Sequence, residues 1–269
     1  MADPIYGRNL KPGSLNQLTR FTRGWNDQEA NFLLPLAFQD KFFKFYDFEN
    51  DTITSDFTVN NAGGAGVSSF AASTSLEFGQ LTGATGTANG VTAAIAISYD
   101  GIFFDAARNP GALVRLKCDA VDNMYLELTW SDAPTATDVL NWSDVDTPAL
   151  ASNGTTDVTS IVIDTSQTNK SAQLISIGTT NTTATAAALS AATTTAGDPL
   201  AAGVFSTFLL QCGANKSYAN IDGKTSNEGR LAVGMDTGIP LTFQIMCQAR
   251  SATSVVVTID YIALWCDRE

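Results

Sequence analysis

The chain has 269 residues, only 16% of them charged, and a formal net charge of −12. A field of that sign repels phosphate backbones, which argues against a nucleic-acid partner. No apolar run approaches the roughly 20 residues that cross a bilayer as a helix. The first twenty residues lack the apolar centre of an export signal, so a soluble product made in a cytoplasm is expected. Thr, Ser, Ala, Asn and Gly fill the place of the missing charges, a mixture that suits strands and turns.

Residues 1–24 carry Arg8, Lys11, Arg20 and Arg23 against Asp3 alone, a net of +3 on an otherwise acidic chain. With Pro4, Pro12 and no periodicity, this segment reads as an extended arm. Asp27 can cap a short helix over 28–34 that Pro35 would end, and the aromatic run Phe42–Phe48 reads as a strand entering the core. The division expected is an arm over 1–45 and a β domain over 46–269.

From there the period is two. Val91, Ala93, Ile95 and Ile97 alternate with small polar or small apolar residues. Val114, Leu116 and Cys118 point one way, and Arg115 and Lys117 the other. Met124, Leu126, Leu128 and Trp130 form one face of a strand, with Tyr125, Glu127 and Thr129 opposite. Phe205–Cys212 reads as a central strand, Leu241–Gln248 alternates, and Ser254–Cys266 is the longest strand candidate. Such alternation marks antiparallel strands with one face to the core and one to solvent. Asn220–Gly223 and Asp236–Gly238 supply turns. Residues 179–203, with 17 of 25 Thr or Ala, read as a long loop or as a short helix over 184–192. The fold class expected is all-β, an antiparallel two-sheet jelly-roll sandwich with an extended N-terminal arm.

Histidine is absent, which removes Ser–His and Cys–His nucleophile pairs and the commonest transition-metal ligand. No phosphate loop, dinucleotide fingerprint or Gly-x-Ser-x-Gly turn occurs. Paired carboxylates are the remaining catalytic option, but Asp47-Phe-Glu49-Asn-Asp51 lacks the Glu-x-Asp-x-x-Glu spacing of β-sandwich glucanases, and Glu77 and Glu127 stand alone. The expectation is therefore a protein that is not an enzyme, with no catalytic residue, no metal site and no cofactor. Asp144-x-Asp146 and Asp47-x-Glu49-x-Asp51, two and three acids respectively, are of the kind that loops offer to calcium, too sparse to count as sites. Cys118, Cys212, Cys247 and Cys266 each close an apolar stretch, as buried free thiols do. Trp130 and Trp265 read as core or sheet packing, and Trp142 as core, a loop anchor or a surface residue able to stack on a sugar.

Two segments carry a resemblance: 111–133, ending Leu126-Glu127-Leu128-Thr129-Trp130-Ser131-Asp132-Ala133, and 238–262, ending Asp260-Tyr261-Ile262. They resemble concanavalin A-like jelly-roll domains found among tailed-bacteriophage virion proteins. The resemblance spans 46–269 and looks most like a capsid decoration (cement) protein. It implies a homo-oligomer, with a trimer favoured, that binds the major capsid protein on the virion surface. Arg8, Lys11, Arg20 and Arg23 of the arm are the candidates for that contact. The same scaffold leaves open a carbohydrate- or receptor-binding fibre domain with a surface glycan as partner, and a tail or baseplate component.

Overall fold

The computed structural model describes residues 41–48, 53, 55–61, 66–73, 79–87, 94–101, 103–133, 142–144, 149–150, 155–166, 172–178, 183–189, 200–224 and 227–268. The first strands are β1 (Lys41–Tyr46), β2 (Phe57–Asn61), β3 (Ser68–Ser73), β4 (Gln80–Ala84), β5 (Ala94–Tyr99) and β6 (Gly111–Cys118). They are followed by β7 (Met124–Ser131), β8 (Trp142–Asp144), β9 (Ala149–Leu150), β10 (Val158–Asp164), β11 (Ala172–Ile177) and β12 (Thr185–Ala188). The last are β13 (Ser206–Gly213), β14 (Lys216–Ile221), β15 (Glu228–Leu231), β16 (Thr242–Ala249) and β17 (Val256–Asp267). A single 3-10 turn at Ala106–Arg108 is the one helical element among the described residues that bears on the fold.

Two antiparallel sheets form a sandwich. One runs β15-β14-β13-β6-β17-β4-β3, with β1 also paired to β17. The other runs β12-β11-β10-β7-β16-β5-β2. A small β8–β9 hairpin stands apart. The expected all-β, two-sheet sandwich is what the chain adopts. Among the described residues no helix is long and apolar enough to cross a membrane.

The period-2 runs supply the core. Val114, Leu116 and Cys118 of β6 face Leu126, Leu128 and Trp130 of β7 and Phe243, Ile245 and Cys247 of β16 in one buried cluster. An aromatic string ties the layers together: Tyr46, Phe57, Tyr99, Phe104, Trp130 and Phe243 meet in sequence at ring-centroid distances of 4.8 to 5.9 Å. The edge-on and tilted geometries suit the ring quadrupoles. All four cysteines are free and buried, and burial pushes the Cys118 thiol up to about 12.

In β17 the alternation is broken by a bulge between Ile259 and Tyr261. Before it Val257 and Ile259 face inward. After it Ile262, Leu264 and Cys266 do, and Tyr261, Ala263 and Trp265 turn outward into a separate cluster with Phe43, Phe45 and Leu113. Asp260, the extra residue, accepts from Arg115 Nη1 at 2.6 Å, which anchors the bulge to the neighbouring strand. β1 begins at Lys41, so the sheet takes in residues on both sides of the expected 45/46 division.

Two expectations change. Thr185–Ala188 is neither helix nor loop but an edge strand on β11. Leu189, buried directly after it, packs on Gly229, where a Cβ would lie 2.4 Å from its Cδ2. That tertiary contact overrides the helix propensity of an alanine run. The second change concerns β7 and β16, whose expected solvent faces are buried as completely as their core faces.

Gly111 pairs with Trp265 across β6 and β17, and the indole lies flat on it. A Cβ there would sit 2.3 Å from Trp265 Cε2. Gly111→Ala should therefore displace the indole and cost about 1–3 kcal/mol, read as a lower urea midpoint at unchanged m-value.

Candidate functional site

The second buried face is the outer surface of the seven-stranded sheet. Strand register builds it as three rungs. Tyr125 of β7 lies between Asp164 of β10 and Gln248 of β16, Glu127 between Val162 and Met246, and Thr129 between Ser160 and Gln244. On the far side of β16, Ala94, Ala96 and Ser98 of β5 continue the rungs with small side chains.

Glu127 is the centre, with none of its surface exposed. Tyr125 Oη donates to its Oε2 at 2.5 Å, and Ser160 Oγ donates to its Oε1 at 2.9 Å. Ser160 Oγ accepts from Trp142 Nε1 at 3.0 Å and lies 2.7 Å from Thr129 Oγ1. Trp142 is thus a loop anchor and not a surface residue: it clamps the β8–β9 hairpin onto Tyr125, Val158, Val162, Ile175 and Ile177. One rung away, Asp164 accepts from Arg250 Nη2 at 3.1 Å and from Ser166 N and Oγ at 3.0 and 2.6 Å. The Arg250 guanidinium lies 5.0 Å from the Tyr125 ring centroid, a cation held against the aromatic face that carries the phenol. Burial first, and then the adjacent Glu127 carboxylate, push the Tyr125 phenol well above its usual range.

Among the described residues, the amides of Gln244 and Gln248 are buried without a hydrogen-bond partner, as is Nε of Arg250. Buried polar groups are almost always paired; in this sheet Trp130 Nε1 and Tyr99 Oη are exceptions too, but among the described residues only β16 carries two whole amides so placed.

The reading of Glu127 as a lone carboxylate is corrected by this register. Asp164 lies 37 positions further along the chain, yet pairing of β10 with β7 makes the two diagonal neighbours on one face, a separation of roughly 7–8 Å between backbone positions. Of the motif Asp47-x-Glu49-x-Asp51 only Asp47 is described, and of Asp144-x-Asp146 only Asp144. No group of three or more metal-ligating side chains occurs among the described residues. Arg8, Lys11, Arg20 and Arg23, and the helix expected over 28–34, lie outside them.

No protein-family model matches the chain, and no curated protein resembles it in sequence. Solved structures do. The β-glucanase of Bacillus licheniformis aligns over 86% of this chain and 99% of its own, with 12% identity and a TM-score of 0.52. LamAcat from Zobellia galactanivorans aligns over 86% and 99%, with 11% identity and a TM-score of 0.54. The fold is a concanavalin A-like jelly roll. The catalytic domain of the endo-1,3-β-glucanase (laminarinase) from Thermotoga petrophila adds a third match, over 85% and 100%, at 11% identity and a TM-score of 0.53. At these identities the likeness is one of fold.

These jelly-roll neighbours overturn the expectation that the chain is not an enzyme. That expectation rested on missing motifs, and the scaffold found is one on which glucanases are built. The jelly-roll part of the virion-protein resemblance is supported, whereas these structures lend nothing to a capsid-decoration role.

Sequence reasoning missed Ser160, Asp164, Gln244, Gln248 and Arg250 as members of one face. A signal was present: the outward positions of β5, β7 and β16 read Ala, Ala, Ser, Tyr, Glu, Thr, Gln, Met and Gln, with one charge among nine. A solvated sheet face carries more.

Removing Arg250 leaves Asp164, 1% exposed, as a buried carboxylate without its cation, so Arg250→Met should cost about 3 kcal/mol in chemical denaturation. Tyr125, Tyr46 and Tyr99 all have raised pKa values in the folded chain. Their phenols therefore ionise first in the unfolded chain, near pH ~10. The native state then holds more protons than the unfolded one, and stability should fall as pH rises past that value. Thermal melts between pH 8 and 11 check this, and Tyr125→Phe should flatten the alkaline slope.

Proposed function

We propose that this domain engages carbohydrate on the outer face of the seven-stranded sheet, with Glu127 as its central charged group. The observation that carries the reading is the three-rung polar ladder across β10, β7 and β16. A sheet face that needs only to be covered is filled by Val, Ile or Leu, whereas each buried polar group costs free energy unless it is paired. Here two carboxylates, a phenol, two hydroxyls and two amides occupy the three rungs, and Glu127 Oε2 accepts from the Tyr125 phenol oxygen at 2.5 Å. Carboxylate and amide groups of this kind match sugar hydroxyls, which both donate and accept. The jelly-roll scaffold shared with β-glucanases supports the same reading.

Every member of the ladder is closed to bulk solvent. A ligand therefore reaches it only after local opening, and association is slower than diffusion allows. The test is retention on immobilised neutral glucans and galactans, together with release of reducing sugar, for wild type and Glu127→Gln. Wild type should be retained by at least one polysaccharide. Glu127→Gln should lose tenfold or more in affinity, and any turnover, with an unchanged far-UV spectrum. A wild-type chain that ignores the whole panel overturns the reading.

A further inference from the structure

After β5 the chain makes an isolated bridge to the turn before β16: Phe104 N donates to Leu241 O at 2.9 Å, and Leu241 N to Phe104 O at 2.8 Å. The bridge holds the Phe104 ring in the core, 3% exposed and against Trp130. Successive side chains of extended backbone point to opposite sides, so the same bridge holds Phe103 out in solvent, 70% exposed. Asp105 ties the loop down further, accepting from Gly238 N at 3.0 Å and from Ala107 N at 2.8 Å. Beside Phe103 lies a hollow of about 570 Å³, with Phe42, Phe104, Ile239, Pro240 and Cys266 among its walls and Phe103 itself at its edge. Gly238 also lines it, and a Cβ there would meet no atom within 4 Å, so the turn leaves this side open. One exposed apolar side chain is ordinary on a protein surface. A projecting phenyl ring next to an apolar hollow is a feature beside its own complement.

We propose that this patch is the contact of a two-fold homodimer, in which Phe103 of each copy seats in the hollow of the other against Phe42, Ile239 and Pro240. The proposal does not rest on the carbohydrate reading. A two-fold contact requires one patch to carry both a feature and its complement, and here that holds twice. Ring and hollow are the first pair. Charge is the second: Asp105, Arg108, Asp267 and Arg268 line the same hollow, two acids and two arginines, so half a turn can set acid against arginine in both directions. An unrelated partner would have to match ring, hollow and both charges, whereas a second copy carries all of them. Room is ample, since a cavity of roughly 150 Å³ already holds a benzene ring. Little freedom is lost on docking, because the bridge at Phe104 and the bonds to Asp105 already fix the backbone that presents the ring. The net charge of −12 on each copy opposes approach, which places the dimer in the weak, reversible class.

The experiment is sedimentation equilibrium of the full chain from about 1 to 500 μM, a span that covers weak association, in about 0.15 M salt, where the Debye length is only about 8 Å. Wild type should pass from monomer to dimer and stop there. Phe103→Ser, at an exposed position, should keep the wild-type melting temperature and weaken the dimer by about a hundredfold, because each dimer loses an aromatic anchor twice. Ile239→Lys, which puts a charge in the hollow, should do the same, and Pro240→Lys replaces it if that variant melts lower. A mixture of the ring-less and hollow-blocked chains should dimerise where neither does alone, since one ring still finds one open hollow. A wild type that stays monomeric throughout overturns the proposal, as does a Phe103→Ser chain that associates like wild type. Association that continues past the dimer overturns the two-fold, because it marks a head-to-tail contact. A mixture that associates no better than either variant alone overturns the seating of the ring in the hollow.

Discussion

Everything distinctive about this molecule depends on the register of β7 between β10 and β16. In an antiparallel sheet a slip of one residue exchanges the two faces of a strand. The register found sends Leu126, Leu128 and Trp130 into the sandwich and Tyr125, Glu127 and Thr129 out of it, Tyr125 and Thr129 opposite polar residues on both sides and Glu127 between Val162 and Met246. Shifted by one, the strand would place a carboxylate among Ile161, Ile163 and Ile245, a position no hydrogen bond could relieve. The apolar alternation enforces the register, and the polar ladder on the other side is its consequence.

That ladder is buried, so its members must satisfy one another. Glu127 does so through Tyr125 and Ser160, and Ser160 in turn holds the indole of Trp142. The hairpin carrying Trp142 is thereby fixed over the apolar half of the face, where Val158, Val162, Ile175 and Ile177 need cover. The other half, toward β16 and β5, has no comparable internal pairing at Gln244 and Gln248. One face thus divides into a part consumed by structure and a part whose hydrogen-bonding capacity is unspent. Natural chains depart from full satisfaction at functional sites more often than elsewhere.

The opposite sheet shows what a face without such demands looks like. Its outer cluster of Leu113, Tyr261, Ala263 and Trp265 is apolar, and its charges sit in ordinary partly exposed positions, as in the Arg115–Asp260 pair. Read strand by strand the difference is hidden, because Arg115 and Lys117 on β6 and Glu127 on β7 occupy the same outward phase of neighbouring period-2 patterns; it emerges only when the outward positions of β5, β7 and β16 are pooled.

Composition, the lack of helical periodicity and the strict alternation of β6, β7 and β16 determined by themselves that the chain folds as an antiparallel sandwich, which residues line its core, and that the four thiols are buried. Those features are local: each strand's pattern names its own inward face. What only the tertiary structure decided is which outward faces meet water. The bulge at Asp260 changes the phase of β17 midway, which no alternation rule anticipates, and so turns Trp265 outward over Gly111. An edge strand forms from an alanine-rich run because β11 offers it a partner. Glu127 and Asp164, 37 positions apart and unremarkable singly, become neighbours through strand pairing. A carboxylate pair or a row of glutamines is a property of register between strands distant in sequence, and register is fixed by packing of the whole core, not by the residues that it brings together.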